Sequence, residues 1–300
     1  MIREALGSLA RNEALGGVLA RTPVARDVVA RVVGGEEIEE VLPLAADLAD
    51  RGYHLALEHV APEVSTLAEA DHAVEGYAAL IDAVADAGLA GVSEVAVFTE
   101  ALGQGIARAD PLARLRELAL HAARRGVVLQ MGAGPSSHRE QTLAWSTELL
   151  AEGYEVGITL PANLRPTEQD VRLLADRRVR LVKGAHAEGA YRQPIEVDKA
   201  FIRCAKVLLK GAGQPSFATH DPRLITIVES VARRYDRSRH SYEFAFYLGR
   251  QTGEQERLLA EGERVRIYVP YGHRWLQRLV GGLAEQPSGI GGALRSLLPG

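Results

Sequence analysis

The chain has 300 residues, 47% of them apolar and 25% charged, and a formal net charge of −4 at pH 7. That length buries a large core, as one large domain or two smaller ones, and the composition is that of a soluble globular protein. The mild acidity gives no electrostatic case for nucleic acid or an anionic membrane, no apolar run reaches the roughly 18 residues of a spanning helix, and the single cysteine, Cys204, excludes an intramolecular disulfide and a cysteine cluster for zinc.

The first residues, Met1-Ile-Arg-Glu4, lack the charged-then-apolar layout of a signal peptide, so a cytoplasmic location is expected. Residues 2–51 carry helical periodicity in three pieces, broken at Thr22-Pro23 and Gly34-Gly35, and read as an N-terminal helical cap over 1–51. A regular alternation follows. Strands are predicted over 53–59, 94–98, 126–131, 155–160, 179–183, 215–220, 242–247 and 264–269. Helices are predicted over 66–87, 109–124, 138–152, 167–176, 195–210, 222–234, 253–260 and 273–285. Cys204, in the helical pattern 201–209, reads as core, and Trp145 and Trp275 as helix-packing residues.

Eight apolar strands, each followed by an amphipathic helix, imply a parallel sheet closed into a (βα)8 barrel of the TIM type over 52–287, with the N-terminal helices appended. A doubly wound open sheet is the alternative, but no Gly-x-Gly-x-x-Gly follows the first strand. The glycine-rich run at 289–292 lies in a C-terminal tail over 288–300. Chemistry in such a barrel lies at the C-terminal ends of the strands, here residues 58–59, 98–100, 130–133, 161–163, 183–186, 219–221, 247 and 268–271.

One strand is the most informative. Val179, Leu181 and Val182 make it apolar, whereas Arg180 and Lys183 are costly to place near a core without a partner, and an anionic cofactor would be one. The ordinary alternative is that Arg180 snorkels at the strand start and Lys183 sits on the surface. Alternation places the two on opposite faces, so both reach one ligand only if the strand ends or bulges near Gly184. Other chemistry is weakly signalled. His54 and His59 flank Glu58, but five residues along a strand puts the two histidines on opposite faces, so no metal site is expected. His186 with Glu188, and His138 with Ser136-Ser137, are too scattered to form a site or to support a hydrolase. Lys183 as a Schiff-base lysine has only its place on a barrel strand in its favour.

The segments Arg180-Leu-Val-Lys-Gly-Ala185, Ala218-Thr-His-Asp-Pro222, Tyr242-Glu-Phe244 with Gly249, and Val265-Arg-Ile-Tyr-Val-Pro-Tyr-Gly272 together resemble the proline dehydrogenase family, in order and in spacing. Leu283-Ala-Glu-Gln-Pro287 continues the similarity, which runs back weakly to about residue 25. The resemblance implies a distorted (βα)8 barrel that holds FAD non-covalently and passes hydride from a C–N bond to the flavin. It places Arg180 beside the reactive part of the ring, with Lys183 and Gly184 toward the flavin or its phosphates. Ala218, Thr219 and His220 then lie on the adenosine side, Glu285 at a cofactor-contacting acid, and Tyr268 with Arg180 among the catalytic groups. Cations there suit an anionic reduced ring and a pyrophosphate.

The departures concern the substrate. An ungapped alignment through Ala101-Leu-Gly103 puts Phe98 where the family has a substrate-contacting lysine. The third-strand aspartate and glutamate are Gln130 and Gly132, the fourth-strand glutamine is Pro161, and a nearby tyrosine is Asn163. The leucine above the substrate is Tyr247 and the tyrosine after Lys-Gly-Ala is His186. The arginine pair that grips the amino-acid carboxylate is Gly281-Gly282, and the tyrosine three places before it is Arg278. Losing two arginines and a lysine removes charge-assisted bonds worth about 1.5–3 kcal/mol each, several powers of ten in affinity for a carboxylate. The expected substrate is therefore an amine-type molecule other than free proline, in a wider and less polar pocket, with oxygen or a quinone as acceptor and a role in specialised biosynthesis. Two alternatives stand beside it: a true proline dehydrogenase whose clamp is rebuilt from Arg278 or Arg274, and a non-catalytic flavin- or partner-binding relative. The outer helices would also support a homodimer.

Overall fold

Eight parallel strands close on themselves in chain order in the computed structural model, which describes residues 32–60, 64–184 and 190–273. They are β1 (His54–His59), β2 (Ser93–Val97), β3 (Val128–Met131), β4 (Val156–Pro161), β5 (Val179–Val182), β6 (Ser216–Ala218), β7 (Glu243–Tyr247) and β8 (Val265–Tyr271). Helix α1 (Ile38–Asp50) precedes β1. The next seven follow β1 to β7 in turn: α2 (Leu67–Asp86), α3 (Pro111–Arg125), α4 (Arg139–Ala151), α5 (Thr167–Leu173), α6 (Pro194–Lys210), α7 (Pro222–Arg234) and α8 (Thr252–Ala260). Because β1 pairs with both β2 and β8, the sheet has no edge, and the open doubly wound alternative is excluded. The predicted helix over 273–285, the helical pieces before residue 32 and the tail over 288–300 lie outside the described residues. So do His186, Arg274, Trp275, Arg278, Gly281, Gly282 and Glu285.

Local chemistry sets the helix starts. The Thr66 hydroxyl accepts from the Glu69 N–H at 3.2 Å while the Glu69 carboxylate accepts from the Thr66 N–H at 2.9 Å, a reciprocal cap for α2. Hydrogen bonds from Ser65 and Thr66 hold the Glu69 carboxyl down to about 2. Helices α3, α6 and α7 each begin on a proline, where the missing N–H would have no partner anyway.

The strands alternate as a barrel requires. Leu57, Val95, Met131, Leu160, Leu181, Phe217, Phe244 and Ile267 face outward into a continuous apolar layer with Tyr77, Leu118, Leu149, Phe201, Leu208 and Val228 of the helices. Cys204 on α6 and Trp145 on α4 belong to this layer, as expected. The inward positions are different. Glu94, Gln130, Arg180, Ser216, Glu243 and Arg266 are all buried, so the barrel is filled in part by polar and ionised groups rather than by branched apolar ones alone.

Candidate active site

Strand β5 stops at Val182, and Gly184 follows in the left-handed region at φ +85°. A Cβ at 184 would lie 2.7 Å from Pro161 Cβ, so the turn also needs the absence of a side chain there. The two cations diverge. Arg180 turns inward and is 4% exposed. Lys183 meets Asp198 of α6 at 2.5 Å and Asp221, the cap of α7, at 4.0 Å. The strand does end where the sequence suggested, yet Lys183 is engaged by these two aspartates on its own face of β5.

Arg180 on β5 starts a chain of contacts that crosses to β8 and returns through β7 to the residues just after β6. Its guanidinium carbon lies 5.9 Å from the centre of the Tyr268 ring. Tyr268 meets Tyr247 edge to face at 5.2 Å, and Tyr247 stacks on His220 at 5.6 Å and 22°. The Tyr247 N–H donates to His220 Nε2 at 3.1 Å. Burial, with Arg250 adding to it, pushes the His220 pKa down to about 4, so the ring is neutral at pH 7. With Nε2 accepting, the proton sits on Nδ1 and makes that atom a donor. Arg180, Tyr268, Tyr247 and His220, expected separately from strand ends, thus form one wall, and Tyr247 stands 47% exposed at its rim. Thr219 is buried, and its hydroxyl accepts from the Asp221 N–H at 3.2 Å, which ties it to the start of α7.

Across the barrel, Phe98 and Gly132 make an apolar contact just past the ends of β2 and β3. The register pairs Val97 with Met131, which brings Phe98 beside Gly132. A Cβ on Gly132 would lie 2.5 Å from Phe98 Cζ, so the ring fills the space that a residue-132 side chain would take. The pocket here is less polar than a lysine and a glutamate would make it, and the wider pocket expected from Gly281 and Gly282 concerns residues outside those described. Gln130 is buried and donates from Nε2 to Thr159 Oγ1 at 3.2 Å, over a glycine at 157 whose Cβ would sit 2.8 Å from Gln130 Cδ.

Sequence reasoning missed two features. Glu94 supplies the partner that a buried Arg180 needs, its carboxylate accepting from Arg180 Nη2 across the barrel; a glutamate inside the apolar strand 93–97 was the available signal. His138, judged too scattered to matter, pairs through Nδ1 with Glu100 Oε1 at 3.0 Å, and a Cβ at Gly134 would lie 2.7 Å from the Glu100 carboxyl carbon. His59 packs outside the barrel against Tyr77 and Tyr271, and no group of three or more histidine, cysteine or acidic residues capable of holding a metal ion occurs among the described residues. A surface groove of about 700 Å³ between α4 and α5 contains none of the strand-end groups.

Arg180 Nε is buried and has no hydrogen-bond partner among the described residues, which leaves a donor at the foot of a wall of flat rings. An open donor, a neutral imidazole N–H and stacked aromatic faces fit a flat ring system with acceptor atoms on its edge, such as a flavin. Lys183 could approach a phosphate only while shared with Asp198.

The family model described as proline dehydrogenase matches residues 41–276. Proline dehydrogenase 1 of Bacillus subtilis is 26% identical over 273 residues, covering 89% of this chain and 90% of its own. Proline dehydrogenase of Deinococcus radiodurans is 28% identical over 280 residues, with 90% of each chain covered. Among solved structures, proline utilization A from Bdellovibrio bacteriovorus, inactivated by N-propargylglycine, superposes with a TM-score of 0.82 at 21% identity. That match covers 92% of this chain and only 34% of the longer one, and it speaks to the fold.

Proposed function

Because this chain belongs to the proline dehydrogenase family, we propose that it uses FAD to oxidise a C–N or N–N bond of an amine-type substrate other than free proline. The observation that carries the reading is the contrast between two walls. The wall keeps Arg180, Tyr268 and His220 and adds the Tyr247 ring between the last two, while the β2–β3 corner where the family resemblance implies a lysine and two acids has become Phe98, Gln130 and Gly132. FAD, when bound, supplies the hydride acceptor.

The chain's own residues do the rest. Arg180 would donate to the ring from Nε, which has no partner among the described residues, and Gly184, Ala218 and the Nδ1–H of His220 would border the cofactor. Lys183 and Thr219 serve its phosphate and adenosine side, together with Glu285. Tyr268 orients the amine between Tyr247 and the ring, and Phe98 excludes water from the opposite side. His186, Arg278, Gly281 and Gly282 complete the substrate pocket in this reading, with oxygen or a quinone as the final acceptor. The composition supports a cytoplasmic location, and among the described residues no helix is long and apolar enough to cross a membrane.

The names of the relatives favour proline itself as the second reading. Anaerobic reduction of the bound flavin by L-proline and by pyrrolidine, the same ring without the carboxylate, separates the two. Pyrrolidine should reduce the flavin at least as efficiently as proline. A preference for proline by several powers of ten would mean that a carboxylate clamp survives, since two or three charge-assisted bonds of about 1.5–3 kcal/mol each have that effect.

A further inference from the structure

Four ionised side chains meet inside the barrel next to the aromatic wall. Glu243 accepts from Arg266 Nε at 2.6 Å and from Arg266 Nη2 at 2.9 Å. Arg266 Nε lies 3.7 Å from Glu94 Oε2, and Glu94 Oε1 accepts from Arg180 Nη2. None of the four side chains is more than 10% exposed. Two guanidinium and two carboxylate groups sum to zero, which is the condition under which such a set survives burial.

Glu94 is the member that links the site to the rest. It comes from β2 and reaches Arg180 on β5, 86 residues later, so the contact belongs to the closed barrel and to no local motif. The family resemblance assigns a role to Arg180 and none to Glu94. The inward carboxylate that the family carries on the third strand is Gln130 here, which forms a hydrogen bond to Thr159 and cannot neutralise a cation.

We propose that Glu94 is a positioning residue for Arg180: it fixes the guanidinium through Nη2, leaves Nε as the donor for the ring bound at the mouth, and cancels most of the arginine's charge. This rests on the reading that FAD binds beside Arg180. A cation next to the flavin favours its reduced, anionic form, and a carboxylate behind that cation opposes it. Glu94 therefore lowers the reduction potential of the bound flavin and makes it the weaker oxidant.

The test compares the flavin midpoint potential of the FAD-loaded wild type with that of Glu94→Gln and Glu94→Asp. Glu94→Gln should shift the reduction equilibrium at least tenfold toward the reduced form, about 30 mV upward for a two-electron couple, and Glu94→Asp should return part of the shift. A potential that stays in place, or moves down, overturns the role of Glu94 while leaving the flavin reading intact. A wild type that keeps no flavin overturns that reading, and this proposal with it. Should Glu94→Gln fail to fold, the pair Glu94→Gln/Arg180→Gln restores neutrality. Greater resistance to urea in the pair than in Arg180→Gln alone is then the expected result, and equal or lower resistance overturns the coupling.

Discussion

Replacing Arg266 with methionine should destabilise the folded chain by about 3–5 kcal/mol, the cost of leaving buried carboxylates without their cation. Arg266 is 4% exposed, holds both oxygens of Glu243, approaches Glu94 at 3.7 Å and donates through Nη1 to the Leu55 carbonyl at 2.5 Å. Burial alone would push the Glu243 carboxyl up, but the arginine overrides it and holds it at about 2. The arginine's methylenes also fill the barrel, and methionine keeps most of that volume, so the loss reports charge rather than a cavity. Urea denaturation measures it. Joint replacement of Arg266 by methionine and Glu243 by leucine should recover much of the loss, because a neutral apolar pair needs no partner. A loss below about 1 kcal/mol for Arg266→Met, the range of exposed ion pairs, would mean that water reaches the network.

The second large effect concerns the β2–β3 corner. Gly132→Ala should cost about 1–3 kcal/mol, since its Cβ would fall 2.5 Å from Phe98 Cζ and 2.7 Å from Cδ1, and a ring packed in a barrel mouth has few places to go. In a Phe98→Ala background the same change should be nearly neutral, with a coupling of roughly 0.5–3 kcal/mol between the two sites. The same logic makes Phe98→Lys with Gly132→Glu, the residues that the family resemblance implies there, better tolerated than Gly132→Glu alone. A thermal double-mutant cycle checks this, and additive losses would show that the ring does not occupy the space beside residue 132. The two departures that the family resemblance implies at 98 and 132 then behave as one exchange, a phenylalanine over a glycine.

The barrel was legible because its two periods are local. Outward Leu57, Val95, Leu181 and Ile267 and the amphipathic faces of α3, α6 and α7 are written in neighbouring residues. The strand ends were less so. Gly126 and Val127 read as strand, but Gly126 takes φ +69° to end α3 and the Val127 N–H bonds back to Ala122. Strand β8 runs on to Tyr271 because Pro270 and Tyr271 find partners in Glu58 and His59 on β1, 212 residues earlier in the chain. Within the site, Tyr247, Tyr268 and His220 could be read as strand-end groups and Arg180 as a cation on an apolar strand. Their order of contact could not, nor could the partners drawn from other strands. Glu94 sits at the start of its strand, where a barrel is expected to be inert, and its meaning appears only when β2 and β5 face each other. Glu100 and His138 lie 38 residues apart and meet only because β2 and β3 are neighbours.

The absorbance spectrum of the purified protein, soaked with FAD and then desalted, tests the central claim most directly. A retained flavin spectrum that is lost or weakened in Arg180→Ala and His220→Ala is the predicted result. A wild type that emerges colourless from the column would contradict the account and leave the barrel without the cofactor its aromatic wall is read to hold.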